Sequence, residues 1–109
     1  MSIYGPEVRE ALDSGETVSI CTEADISDGV TASLRNYDSW TLYTRVAGAI
    51  DITVELSPDN GDTWYEIPES PLSYTEATDD ANVIDYKATD IRLTGSNTTD
   101  TTACIYGVY

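Results

Sequence analysis

Between residues 40 and 56 the chain alternates with a period of two. Trp40, Leu42, Thr44 and Val46 interleave with Thr41, Tyr43 and Arg45, and after Ala47-Gly48-Ala49 the pattern resumes, with Ile50, Ile52, Val54 and Leu56 set against Asp51, Thr53 and Glu55. Successive side chains of a β-strand point to opposite faces, so this spacing predicts two strands, each with one apolar and one polar face. Read as a hairpin turning at Ala47-Gly48-Ala49, Val46 falls opposite Ile50, Leu42 opposite Val54 and Trp40 opposite Leu56. The same register puts Arg45 opposite Asp51 as an ion pair and Tyr43 opposite Thr53.

The rest of the chain follows the same grammar. From residue 17 onward β-branched residues and Tyr dominate, and turn residues recur roughly every eight to fifteen positions. Strands are predicted at 17–23, 63–67, 83–87, 90–94 and 101–109, with a polar tip at 95–100 and an acidic, proline-containing surface excursion over 68–82. These spacings leave no room for helices between strands. The fold class they predict is all-β: an antiparallel, jelly-roll-like β-sandwich of about seven to eight short strands spanning residues 16–109.

Residues 1–15 read differently, as an N-terminal arm or a short helix over 6–13. Pro6 suits a first helical position, Glu7 and Glu10 favour a helix N-terminus, and Gly15 is a natural stop. Ile3, Tyr4, Val8 and Leu12 lie outside the strand pattern. That pattern predicts an arm that docks onto another subunit, or one that folds back over an open sheet edge of its own domain.

Charge narrows the partners. The chain carries 20 Asp and Glu against four Arg and one Lys, a net −15 on 109 residues. A globule of this size has a radius of gyration of about 13 Å, close to one Debye length in ~0.1 M salt, so its like charges repel one another. In ~1 M salt the screening length falls to about 3 Å, and the composition predicts a protein adapted to brine. The acids are scattered, and 40% hydrophobic residues suffice for one modest core, so the chain is not a disordered acidic tail. Such a surface repels nucleic acid and anionic lipid alike. No basic segment precedes an apolar stretch, and no run approaches the ~18 apolar residues of a membrane span, which predicts synthesis in the cytoplasm without export.

Chemistry is restricted as well. With no His, His-based acid–base catalysis, Ser-His triads and His metal sites are excluded. Lys87 is the one lysine and reads as a surface ion-pair partner. With 20 acids, close carboxylate pairs arise without function, and a small sandwich lacks a deep site to tune them, so the expectation is no enzyme and no cofactor. Loop acids at Asp25, Asp28, Asp59, Asp62, Asp79 and Asp80 are candidate cation ligands, although none has EF-hand spacing. Cys21 and Cys104 lie on the first and last strands. They are compatible with two free thiols or with one disulfide. Eight Tyr and two Trp with no Phe suit either a thin core or a Tyr-lined assembly surface, with Tyr4, Tyr74, Tyr106 and Tyr109 as candidates.

One motif stands out. Ser57-Pro58-Asp59-Asn60-Gly61-Asp62-Thr63-Trp64 resembles the Asp-box hairpin of sialidases, matching at Ser57, Asp59, Gly61, Thr63 and Trp64. Locally, Asp59 accepts turn N–H groups, Gly61 takes positive φ and Trp64 is expected to return the chain to the core. A propeller needs four or more blades of about 40 residues, so the resemblance is to the turn and not to the enzyme.

Residues 38–67, the Asp90-Ile91-Arg92-Leu93-Thr94-Gly95-Ser96 strand and the alternating final strand resemble small sandwich proteins of tailed-virus virions. With the acidity, that resemblance implies a virion protein of a virus of halophilic archaea, made in the host cytoplasm. The implied role is capsid decoration or turret subunit, with its own copies and the major capsid protein or another virion subunit as partners. A surface-, carbohydrate- or host-binding module and a head–tail joining protein are the alternatives. Carbohydrate recognition calls for exposed aromatic platforms beside polar groups; decoration calls for a large self-contact and a docking segment.

Overall fold

The computed structural model describes residues 15–34 and 37–109. The predicted helix at 6–13 and the arm residues Ile3, Tyr4, Val8 and Leu12 lie outside the described residues. Nine strands follow: β1 (Gly15–Ala24), β2 (Val30–Ser33), β3 (Ser39–Val46), β4 (Ile50–Ser57), β5 (Tyr65–Glu66), β6 (Leu72–Tyr74), β7 (Thr78–Ile84), β8 (Asp90–Gly95) and β9 (Thr101–Val108). They form two antiparallel sheets. One has the order β1-β9-β3-β7; the other runs β2-β8-β4-β5, with β6 also paired to β4. The fold is the predicted β-sandwich.

The alternating segments are both strands, but they are not a hairpin. β3 pairs with β7 and β9, whereas β4 pairs with β5, β6 and β8. The small residues at 47–49 carry the chain from one sheet to the other, fastened where Ala47 N donates to Asp100 O and Asn97 Nδ2 donates to Ala49 O, both at 3.0 Å. Alternation dictates which face of a strand is buried; it does not say whether the partner lies beside or opposite. Set in facing sheets, the two apolar faces cover each other, which an isolated two-stranded ribbon cannot achieve. Trp40, Leu42, Val46, Ala103 and Ile105 from one sheet thus meet Ile50, Ile52, Val54, Leu56, Ile91 and Leu93 from the other, all buried. Consequently Arg45 does not pair with Asp51. Its Nε and Nη2 bind the Asp79 carboxylate at 2.8 and 3.1 Å along the β3–β7 ladder.

Two further expectations change. The acidic stretch 68–82 is not wholly a surface excursion: it supplies β6 and most of β7, and so Asp79 and Asp80 sit on a strand and not in a loop. Among the described residues, no three acidic or cysteine side chains converge as a cation site. Cys21 and Cys104 are free thiols. A bulge at Ile20 shifts β1, so that Ser19 opposes Cys104 while Cys21 opposes Ala103. The extra residue reverses the alternation and turns Cys21 into the core, where burial pushes its thiol pKa up, while Cys104 stays on the outer face. The two thiols therefore point to opposite sides of the sheet.

Tyr74 is no assembly residue either. It is buried between the sheets, with its hydroxyl 3.1 Å from Thr44 Oγ1 and donating to Asp80 Oδ2 at 2.7 Å. Burial raises its pKa to about 12. At the end of the sandwich, Gly107 lies directly beneath the Tyr37 ring, where a Cβ would stand 2.3 Å from Tyr37 Cγ. Only glycine allows that approach. Tyr37 in turn packs against Tyr109 with the rings tilted at 54° and their centroids 5.2 Å apart, and both hydroxyls donate to Glu16 Oε1.

Candidate functional site

The Asp-box-like turn forms as the sequence predicts. Ser57 Oγ donates to Asp59 Oδ1 and accepts from Gly61 N, both at 2.8 Å. Asp59 also accepts from Thr63 N at 2.9 Å and Thr63 Oγ1 at 2.6 Å, and these donors hold its carboxyl below the usual range. Gly61 has φ +93°, as a left-handed turn position requires. The exception is Trp64. It does not enter the core but lies half-buried on the outer face of the β2-β8-β4-β5 sheet, beneath the Arg92 guanidinium at 4.5 Å. Arg92 is held there by Glu55 at 3.0 Å, and that exposed-side pairing keeps the indole on the outside.

The turn is clamped to a second segment, residues 85–89, which links β7 to β8. Thr89 N and Thr89 Oγ1 donate to Ser57 O at 2.8 and 3.0 Å, and Asn60 N donates to Thr89 Oγ1 at 2.8 Å. Farther along the segment, Trp40 Nε1 donates to Tyr86 O at 3.1 Å and anchors that backbone to the core. These bonds set two tyrosines beside one groove. Tyr65 follows the turn on β5 and is 62% exposed; Tyr86 faces it from the linking segment and is 38% exposed.

The groove has a volume of about 260 Å³. Leu56 and Ile67 form its apolar floor, and Pro58, Pro68 and Ala88 shape its rim. Polar groups converge on the edge: Glu66 lines it, Lys87 pairs with Asp38 at 3.0 Å, and the Tyr86 hydroxyl donates to the Glu69 carboxylate at 3.2 and 3.3 Å. Desolvation, with the negative charge of Glu69 beside it, raises the Tyr86 pKa. Beyond Pro58, Lys87 and Ala88 the groove continues into a second hollow of about 330 Å³ against Tyr37. An apolar floor flanked by two tyrosines and a charged rim is a surface on which an amphipathic ring can pack.

The groove's main residues, Tyr65 and Tyr86, are not among those singled out from the sequence. Each reads there as an ordinary strand tyrosine, and nothing local to either signals that the other stands opposite. Ser57, Asp59, Gly61 and Thr63 act as scaffold for the wall that carries Tyr65. Tyr106 is on the outer face of the other sheet, and Tyr109 is spent against Tyr37.

No protein-family model matches the sequence, and no curated protein matches it. Solved structures do share its fold. Chitosan-binding module 1 of a chitosanase/glucanase from Paenibacillus sp. IK-5 superposes with a TM-score of 0.51 at 12% identity, over 87% of this chain and 95% of that one. CpGH89CBM32-6 from Clostridium perfringens does so with a TM-score of 0.53 at 14% identity, over 87% and 94%. At such identities the likeness is one of fold: this chain is a β-sandwich of the type those two proteins adopt.

Proposed function

We propose that this chain is a non-catalytic carbohydrate-binding module, holding a glycan in the groove between Tyr65 and Tyr86. The observation that carries the reading is the pair of part-exposed tyrosines lining one preformed apolar groove together with Glu66, with Glu69 bonded to the Tyr86 hydroxyl. The C–H face of a pyranose packs on a tyrosine ring, while its hydroxyl groups donate to the rim carboxylates. The continuation toward Tyr37 makes room for a second ring.

Charge selects among glycans. A net −15 chain with Glu66 lining the groove and its one cation there, Lys87, paired with Asp38 attracts a cationic amino sugar and gives nothing extra to its neutral, N-acetylated counterpart. A glucosamine oligomer is thus the preferred ligand, and the chitosan-binding module of like fold supports that choice. The virion roles implied by sequence resemblance rest on strand cadence and acidity; the groove meets the requirement of carbohydrate recognition, an aromatic platform beside polar groups.

Isothermal titration calorimetry with glucosamine, N-acetylglucosamine and glucose oligomers tests this. Tyr65→Ala, at an exposed position, is expected to weaken glucosamine-oligomer binding at least tenfold while leaving the melting temperature unchanged. Binding of none of the three, or undiminished binding by Tyr65→Ala, overturns the proposal.

A further inference from the structure

The outer face of the β1-β9-β3-β7 sheet is out of character with the rest of the molecule. Ladder register aligns Thr17, Tyr106, Thr41 and Val83 in one row across the four strands. The next row holds Ser19, Cys104, Tyr43 and Ala81. Neither row contains an acid, on a chain where 20 of 109 residues are Asp or Glu. In the row after that, Arg45 and Asp79 neutralise each other, and an acid stands only at the β1 end, where Glu23 N donates to Thr102 Oγ1 at 2.9 Å.

β7 sharpens the contrast, because its polarity is inverted. Asp80 and Asn82 lie toward the inside, where Asp80 binds the Tyr74 hydroxyl and the Asn82 amide, whereas Ala81 and Val83 face outward. Val83 is 69% exposed. A strand with its apolar side turned to solvent is patterned for a cover.

We infer that this face is where two copies of the chain meet, about a two-fold axis. Charge argues for a copy as the occupant. Two molecules of net −15 repel wherever unpaired acids meet, as they would across the other sheet, whose outward positions include Asp51 and Glu66; they can approach closely where such acids are few. A two-fold contact is isologous, so the patch must complement itself. It does so in relief: Tyr43 and Tyr106 stand out, 45% and 39% exposed, beside the small side chains of Ser19, Ala81 and Thr41. Four strands about 4.8 Å apart and three rows of side chains give about 400 Å² of projected face per copy. That is about 800 Å² for the pair, below the usual size of a stable specific interface, and the dimer is accordingly a weak, transient one.

Sedimentation equilibrium of the full chain, run in ~1 M KCl to screen the remaining charge, reads the association. A monomer–dimer equilibrium is expected, with the dissociation constant rising at least tenfold in Val83→Glu and in Thr41→Glu. Thr53→Glu, on the outer side of the other sheet, is expected to leave it unchanged. Cys104 provides a second readout that needs no acidic variant. Cys21 is buried, so a short bis-maleimide joins copies through Cys104 near the middle of the face, and Cys104→Ser abolishes the covalent dimer. A chain that stays monomeric at ~1 mM and yields no cross-link overturns the inference, as does a dimer that survives both acidic substitutions. The glycan groove is elsewhere on the molecule, so Val83→Glu is expected to bind glucosamine oligomers as the native chain does.

Discussion

Ser57→Ala removes one oxygen from the turn that supports the groove, and the structure sets the cost. Ser57 is fully buried, and its Oγ is the 2.8 Å acceptor for Gly61 N as well as a donor to the Asp59 carboxylate. Water cannot take its place in a position with no exposure, so the Gly61 N–H is left unsatisfied, at about 1–3 kcal/mol. Loss of the hydroxyl's own donated bond adds about 1 kcal/mol, and the small gain from an apolar methyl offsets part of the sum. The expected loss is about 2–3 kcal/mol. For a domain near 100 residues that corresponds to a fall of roughly 10 °C in melting temperature. Urea unfolding followed by Trp fluorescence measures it as a lower midpoint with an unchanged slope. A loss under about 0.5 kcal/mol would show that the turn holds itself without Ser57, and the scaffold role assigned to the motif would be wrong.

Trp64→Ala is expected to cost about 1–2 kcal/mol, the worth of a half-buried ring under Arg92 rather than of a core indole; chemical denaturation separates the two. Asp80 has its pKa lowered chiefly by the Tyr74 hydroxyl, so its contribution is present above the unfolded value of about 3.9 and is lost as pH falls through the lower folded one. The stability gap between the native chain and Asp80→Asn, measured by urea titration at each pH, is therefore expected to be open at pH 5–7 and to close toward pH 2–3. Repulsion among the acids predicts a melting temperature that climbs steeply from low salt to molar KCl. A flat profile in calorimetry would remove the brine-adaptation argument.

What the sequence discloses is local, and what it withholds is partnership. The Asp-box turn is legible because every bond from Ser57 and Asp59 within it spans no more than four residues. The alternation at 40–56 likewise identifies the buried faces of β3 and β4. It does not reveal that they belong to different sheets, since a hairpin and a sandwich bury the same side chains. The inward turn of Cys21 is hidden for a related reason: it follows from one bulged residue at Ile20, a second register shift comes between Cys21 and Ala24, and nothing in the side chains announces either. β7 is hidden by its own inverted polarity, with Asp79-Asp80 reading as surface loop. The groove is least legible of all. Tyr65 and Tyr86 are brought together by Thr89 on Ser57 and by Trp40 on the Tyr86 carbonyl, bonds that span 32 and 46 residues.

Amide shift mapping during titration with a glucosamine oligomer addresses the carbohydrate-binding reading most directly, since it reports both whether the ligand binds and where. The account predicts saturable shifts concentrated at Tyr65, Glu66, Ile67, Tyr86, Lys87 and Ala88, weakened by added salt and reduced for the N-acetylated oligomer. Shifts that centre on another surface, or no shift at millimolar ligand, would contradict it.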